Sequence, residues 1–518
     1  MSARDRYDVM IVGAGPVGSA AAVLASRHRL STLLVDEAVD VFPLPRAIHF
    51  DTDIMRILQF AGLAERVEPI TRATTGGVHL GLDGEPIRQF RVPDRPGDFG
   101  WRPHYMFFQP EFDGLLRQAA MESPGVDVRF GWRCESVTNE NEGASVALRA
   151  SDGASATING RYVIAADGAA SFVRKQLGLG LSDYGFEEPW VIIDAEVPDA
   201  EMGPDYTIMW CDPARPGTYV PGPARHRRWE FMLLPGETGH ELSTPEGARS
   251  LVGPVSDWLD PEQLDVVRVA VYRFHALVAE QWRAGNVFLA GDAAHQTPPF
   301  YGQGMCHGMR DVRNLLWKLA AVLRGRADEA LLDTYQVERE PHVRAIIEAA
   351  VANGRYICTL DRDLAAERDA TLRARMAQGA DVRSFREVIP GLTTGLLDPE
   401  AGSEAVGLLI AQPNVRTPDG EERLLDDALG DGWSIVCLPG VLTELSRDSF
   451  EALDFCVVEL DSEVTETQDL FQRWFDEFGC AAVVIRPDRY VYGTARDGDE
   501  LTALVARLET AFRKAVQA

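Results

Sequence analysis

A glycine-rich turn, Gly13-Ala14-Gly15-Pro16-Val17-Gly18, follows directly on the apolar run Tyr7-Asp8-Val9-Met10-Ile11-Val12. Residues of these types in this order can hold a phosphate. Glycine lets the backbone turn sharply and approach an anion closely, and a helix predicted over Ser19 to Ser26 would aim its N-terminus at the same point. A second apolar run, Ser31-Thr32-Leu33-Leu34-Val35, ends in Asp36 and Glu37. An acid at that distance from the glycines accepts hydrogen bonds from the ribose hydroxyls of an adenosine. The order strand, glycine turn, helix, strand, acid therefore predicts a dinucleotide site. Its contacts are Gly13, Gly15, Pro16, Val17, Gly18, Asp36 and Glu37. This unit alone does not separate NAD from FAD.

Two later segments place further acids at strand ends. Arg161-Tyr162-Val163-Ile164-Ala165-Ala166 ends in Asp167-Gly168, and Asn286-Val287-Phe288-Leu289-Ala290 ends in Gly291-Asp292. The second is followed by Ala293-Ala294-His295-Gln296-Thr297-Pro298-Pro299-Phe300 and then Gly302-Gln303-Gly304. Any one of these acids reads most simply as a helix cap. Their order on one chain resembles the single-component flavoprotein aromatic hydroxylases, the p-hydroxybenzoate hydroxylase fold group. Within that group the chain is most similar to 3-(3-hydroxyphenyl)propionate hydroxylases and polyketide hydroxylases. The resemblance spans nearly the whole chain. It includes Pro45-Arg46-Ala47, a helix headed by Gln109-Pro110-Glu111 and carrying Arg117, and the run from Gly291 through Trp317.

This resemblance implies non-covalently bound FAD, with NADH or NADPH as electron donor and O2 as oxidant. The substrate would be a small phenolic ring, hydroxylated through a flavin hydroperoxide. It carries Arg46, Gln109, Asp167 and Asp292 over as FAD contacts. The cofactor does the hard chemistry in such an enzyme, while the protein orients it and keeps the pocket dry. The remaining search is for donors and a pocket. Gly302, Gly304 and Met305 precede a helix predicted over 307–323, with Val312, Leu315, Leu316, Leu319 and Val322 at helical spacing. Free N–H groups at its start would face the pyrimidine end of the flavin. Pro298 and Pro299 lack backbone donors and stiffen the loop beside the ring.

Tyr272 and His275 lie just before the Gly-Asp strand and, with Pro298, are the candidate catalytic residues, since either side chain can orient or deprotonate a phenol. Trp210, Tyr219, Trp229 and Met232 are candidate pocket walls. Arg225-His226-Arg227-Arg228, after Pro221-Gly222-Pro223, predicts a solvated hairpin loop. His295 and His307 have no third ligand at a useful spacing, so no metal site is expected.

The elements that must position these residues predict an α/β chain of about three domains, at roughly 150 residues each. A Rossmann-like parallel sheet is assembled from the discontinuous segments 1–74, 102–186 and 280–395, the last bringing bracing helices. Segments 75–101 and 187–279 form an α+β substrate domain with an antiparallel sheet. A Gly/Pro stretch near Pro390 to Pro399 predicts a linker, and 400–518 resembles a thioredoxin-like domain. Cys437, however, is followed by Leu438-Pro439-Gly440, so that domain lacks a CxxC pair and is expected to be structural, packing on the FAD domain or forming part of a homodimer contact.

A net charge of −28 argues against nucleic acid or anionic membrane as a partner. No apolar run reaches the ~18 residues of a membrane span. Seven cysteines without a CxxC, and no leader ahead of the first strand, point to reduced thiols in a cytoplasm. A second strand-GxGxxG-helix unit for permanent NAD(P)H binding is missing, which favours a donor that docks transiently. The enzyme alternative is a flavin-dependent halogenase, whose Trp-x-Trp-x-Ile-Pro signature is absent. A flavin-binding regulatory or interaction protein is the alternative from another class.

Overall fold

The computed structural model describes residues 6–93, 95–379, 389–400, 402–443, 450 and 454–514. Apolar runs buried on both faces are what parallel strands need, and the early runs pair in that way. Tyr7–Val12 lies between Thr32–Asp36 and Ser155–Ala165, with Val126–Phe130 and Val287–Leu289 farther out, all parallel. The sheet is nonetheless mixed. Trp132–Glu140 and Gly143–Ala150 form an antiparallel arm on Ser155–Ala165, and Arg283–Ala284 adds an antiparallel edge. The helices Pro16–Arg27 and Gly304–Leu323 pack together and are buried along most of their length.

The second sheet also has eight strands, running from His295–Gln296 through Asp265–Ala279, Leu181–Glu196, His226–Met232, Gly217–Pro221, Thr207–Trp210 and Gly76–Leu80 to Pro86–Arg91. It is antiparallel except where Thr207–Trp210 meets Gly76–Leu80. Its long strand begins at Leu181, ahead of the expected start at 187. One face carries Val191, Ile193, Tyr219, Trp229 and Phe231 in a core with the helix Pro245–Val252. The opposite face carries Trp190, Ile192 and Met232 into the main core shared with the first sheet.

Of Arg225-His226-Arg227-Arg228, expected in a solvated loop, only Arg225 is exposed. His226, Arg227 and Arg228 are buried at the start of a strand. Arg227 satisfies loop carbonyls, among them those of Ala224 (2.8 Å) and Met202 (3.0 Å). Arg228 grips Asp194 across the sheet, Nε to Oδ1 at 2.8 Å. The guanidiniums hold the sheet's own polar atoms, which a reading of turn signals could not reveal.

Helix Ala330–Ile357 packs on Gly304–Leu323, whereas Arg362–Ala377 braces the second sheet through Asp369, which accepts from Leu82 N (2.8 Å), and Arg368, which donates to Cys211 O (2.6 Å). In the tail, Cys456–Glu459, Ser434–Cys437, Ala482–Ile485 and Val491–Ala495 form a sheet in that order, its first pair parallel and the others antiparallel. The expected linker is not loose, since Ile389, Leu392 and Leu396 are buried.

A buried ion cluster fastens the tail. Arg486 donates to Glu338 Oε2 (2.7 Å), Asp488 Oδ1 (2.9 Å) and Leu396 O (2.9 Å), and Lys318 donates to Glu338 Oε2 (2.7 Å). Arg56 clasps Asp426 with two bonds of 2.6 and 2.7 Å. Despite their burial, these cations hold both Glu338 and Asp426 below the ordinary carboxylate range, Asp426 down to about 2. Stability from such depressed acids is present above their unfolded pKa, near 4, and is lost as pH falls toward about 2. Arg486→Met, which strands two buried carboxylates, should cost about 3–5 kcal/mol in thermal unfolding. An unchanged melting temperature would show that the cluster does not hold the tail.

Candidate cofactor and substrate site

Gly13 has φ +99°, and a Cβ there would lie 2.4 Å from Ala166 O; one at Gly18 would lie 1.8 Å from Gly13 O. Both positions therefore demand glycine. Around Gly15 the reverse holds, because a Cβ there meets nothing within 4 Å. The helix beginning at Pro16 has no side-chain cap, so its first-turn N–H groups face that open space. Asp36 closes the turn, Oδ2 accepting from Ala14 N (2.6 Å) and Oδ1 from Ala38 N (2.8 Å). Glu37 is exposed beside it. Arg117 joins the two parts, donating to Ala14 O (2.9 Å) and standing 3.5 Å from Asp36 Oδ2. The sequence offered only its place on a helix as a signal.

Gln109 is buried and acts through a loop: Oε1 accepts from Arg46 N (2.9 Å) and Ala47 N (2.6 Å), and Nε2 donates to Asp113. Burial pushes the Asp113 carboxyl up to about 6. The Arg46 side chain is left exposed over the Phe42 ring, 5.0 Å from its centroid. Asp167 braces the start of the helix Phe172–Gln176, accepting from its cap Ser171 Oγ (2.6 Å) and from Val173 N (3.0 Å), while its backbone lies against Gly13.

Asp292 opens onto the cleft with no donor placed on it among the described residues, and desolvation raises its carboxyl. The turn that carries it is anchored from behind. Asp311 accepts from Gly291 N (3.1 Å), His295 Nε2 (2.6 Å) and Arg339 Nε (3.0 Å). The sequence reading missed Asp311 and Arg339, since a charged pair inside a long helix and its neighbour has no local signature. Val17 fills the space beside Gly291 and Gly308, where a Cβ on Gly308 would lie 2.4 Å from Val17 Cγ2.

Pro298 is buried and leads into a short turn over Pro299–Tyr301, after which Gly302 takes φ +63° against His49. Gly304 begins the next helix with no side-chain cap, a Cβ there would meet nothing within 4 Å, and Met305 is buried behind it. His49 Nε2 and His104 Nδ1 share a hydrogen bond of 2.9 Å, and burial lowers both rings, His104 to about 3.

Facing this loop, Phe300 meets Trp190, Phe274 and Phe186 edge-on, with centroids 5.9, 6.2 and 5.7 Å away. Of the expected pocket walls, only Met232 lies on this side. Trp229 and Tyr219 belong to the far face, where Trp229 donates to Ser256 Oγ (3.0 Å) and Tyr219 to Pro204 O (3.0 Å); Trp210 packs there on Phe231. Strand alternation explains the correction, because neighbours in sequence point to opposite faces. It also separates the two catalytic candidates. Tyr272, opposite Trp190, is on the Trp190 face beneath the Arg268 guanidinium, which donates to its hydroxyl. His275, opposite Glu187, is on the other face. Among the described residues no cluster of His, Cys, Asp and Glu is arranged to hold a metal, and no helix is long and apolar enough to cross a membrane.

Known proteins decide between dinucleotides. The family described as "FAD binding domain" matches residues 6–350, and "HcaD C-terminal domain" matches 407–511. A "probable NADH-specific resorcinol 4-hydroxylase" of Rhodococcus jostii (strain RHA1) is 37% identical over 526 aligned positions, covering 98% of this chain and 96% of its own. A 3-(3-hydroxy-phenyl)propionate/3-hydroxycinnamic acid hydroxylase of Burkholderia cenocepacia (strain HI2424) is 36% identical, with 94% of each chain covered. The chain belongs to the FAD-dependent aromatic hydroxylases. Its fold agrees, since aklavinone-11 hydroxylase in complex with FAD and aklavinone superposes with a TM-score of 0.79 at 25% identity, 100% of each chain covered. Anhydrotetracycline hydroxylase from Streptomyces rimosus shares the fold at a TM-score of 0.78 and 23% identity, with 98% of this chain and 99% of that one covered.

For an FAD-dependent aromatic hydroxylase the residues present are a good fit: two uncapped helix starts with open space, and an uncommitted carboxylate at Asp292. Gly308→Ala should force Val17 and Gly291 apart, lowering stability by about 1–3 kcal/mol and weakening FAD retention on gel filtration. Full retention with an unchanged melting temperature would show that this close approach is dispensable.

Proposed function

We propose that this flavoprotein monooxygenase uses NADH to hydroxylate a small phenolic ring held between the Pro298–Met305 loop and the Trp190 face of the second sheet. The observation that carries this reading is the pair of uncapped helix starts, at Gly15 and Gly304, set side by side by the Val17–Gly308 contact. In the proposed arrangement the N–H groups after Gly15 hold the pyrophosphate, Asp36 the adenosine ribose, and Asp292 the ribityl side. Arg46 covers the phosphates or the ring edge. The N–H groups of Gly304 and Met305 meet the pyrimidine end. When bound, FAD accepts hydride from the nicotinamide and activates dioxygen; the chain orients the ring, excludes water and fixes the phenol. Pro298 and Pro299 keep donors away from the ring's edge, and Phe300, Trp190 and Phe274 supply the dry wall.

NADH is supported by the name of the Rhodococcus relative, and a phenolic ring by both relatives' names. The domain limits expected from sequence are kept in this proposal, with 181–186 assigned to the substrate domain because Leu181, Ser182 and Asp183 pair with Ala279, Val278 and Leu277. The tail's strand order and directions support a thioredoxin-like unit without redox work. Cys437 is buried, and burial raises the Cys480 thiol to about 12, so neither is a poised thiolate.

NADH consumption should be slow alone and strongly stimulated by the right phenol, with label from 18O2 entering the product. Label entering from water, or no phenol that stimulates, would sink the proposal. Asp292→Ala should weaken FAD retention in the same preparations.

A further inference from the structure

Glu230 stands between Trp229 and Phe231, whose rings lie in the core on the far face of the second sheet. The pleat therefore turns Glu230 toward the cofactor side, together with Arg228 and Met232. Ile192 and Thr218 flank it on the adjoining strands, and Met209 and His79 continue the same cross-strand row. This row lies between the Arg228–Pro45 contacts at one end and the Trp190–Phe300 aromatic wall at the other.

Asp194 and Glu230 both lie on this face, and their surroundings differ. Asp194 is fully committed, accepting from Arg228 Nε (2.8 Å) and Nη2 (3.1 Å) and bonding His226 Nε2 at 2.9 Å. Glu230 accepts no hydrogen bond from the described residues. Its nearest cation is Arg228 Nη1 at 3.8 Å, and that guanidinium is occupied by Asp194 and by the carbonyls of Arg46 (2.6 Å) and Pro45 (3.2 Å). The Glu230 side chain is only 14% exposed, and burial raises its carboxyl. A carboxylate taken out of water without donors is costly. Such a group, on the face that meets the cofactor, is what an acceptor awaiting a ligand's donor looks like.

We propose that Glu230 accepts a hydrogen bond from a ring hydroxyl of the aromatic substrate and thereby selects rings that present an O–H donor between Ile192 and Thr218. The proposal rests on the reading that this face holds the substrate. The hydroxyl supplies the donor that Glu230 lacks, and a methoxy or carboxylate group at the same point would leave it unpaired or repel it.

The test uses the FAD-loaded enzyme without NADH and follows ligand binding by the change in flavin absorbance. Phenol, resorcinol and 3-(3-hydroxyphenyl)propionate are each paired with the fully O-methylated compound. The wild-type enzyme should bind at least one phenol about 10- to 100-fold more tightly than its ether, the range for a hydrogen bond to a charged group. In Glu230→Met, which keeps the bulk but has no acceptor oxygen, that preference should shrink to within about threefold of unity, with FAD content kept and the melting temperature not lowered. A purely structural carboxylate would instead lose stability and leave the preference intact. Survival of the preference in Glu230→Met overturns the proposal, as does its absence in the wild type, non-binding included. Oxygen incorporation from 18O2 is scored separately. An enzyme that shows the binding preference but oxygenates no phenol would count against the monooxygenase reading and not against the role of Glu230.

Discussion

The close approach at Val17 sets the rest of the cleft. Val17 packs on Gly291 and Gly308, and no side chain fits at either glycine without displacing it. This contact brings together three pieces of chain that are far apart in sequence: the start of the Pro16–Arg27 helix, the Gly291-Asp292 turn and the first turns of the Gly304–Leu323 helix. In the proposed arrangement each would contribute backbone donors or an acid to one elongated ligand. The Asp311 cluster then makes the arrangement rigid, because one buried carboxylate ties Gly291 N, His295 and Arg339 together. A buried acid with all its acceptors filled holds position better than packing alone, since displacing any donor strands the charge.

The same helix explains why the tail belongs to the enzyme. Gly304–Leu323 is buried nearly all round, yet it carries Arg310, Asp311, Arg313, Asn314 and Lys318 at buried positions. Each needs a partner from a different element. Arg310 takes Asp51 and Asp53, Asp311 takes Arg339, and Lys318 takes Glu338. Arg313 donates to the Pro487 carbonyl, and Asn314 reaches Asp488, both in the tail. Without the tail this face would expose Trp317 and leave Arg313 and Glu338 short of partners. The domain completes the burial of the Gly304–Leu323 helix, whose first turn faces the cofactor in the proposed arrangement, and that positional role needs no reactive thiol.

The proposed cofactor half of the site is the more legible in the sequence because its constraints are local. Gly13, Gly15, Gly18 and Asp36 sit at fixed offsets imposed by one turn, and the strands Tyr7–Val12 and Thr32–Asp36 are apolar because both faces are covered. The substrate half was hidden because its constraint is a register. Trp210, Tyr219 and Trp229 are aromatic residues on the right strands, but with a period of two each can line the cleft or the opposite core. Only pairing to Trp190 and Asp194 decides which. Arg227 and Arg228 misled for a related reason. A basic run after a Pro-Gly-Pro turn suggests solvent, whereas the Met202, Arg46 and Pro45 carbonyls and the Asp194 carboxylate that help bury it come from elsewhere in the chain. Asp311 and Arg339 gave no signal at all, being helical charges whose partner is known only once the helices pack.

Charge sorts the ligands that such a cleft can admit. The chain as a whole carries −28, which repels polyanions at long range. Beside Pro45, two guanidiniums stand without an ion-pair partner among the described residues. Arg46 is exposed and makes no ion pair among the described residues, and Arg268, buried beside Pro45, has no carboxylate within ion-pair distance there. Both lie near Arg228, whose charge is already matched by Asp194. The low-dielectric walls around these guanidiniums strengthen their field over short distances, while salt and the acidic surface mask it farther out. A dinucleotide that carries two phosphates and inserts end-on can reach this field. A nucleic acid that must lie along the surface meets the acidic exterior instead.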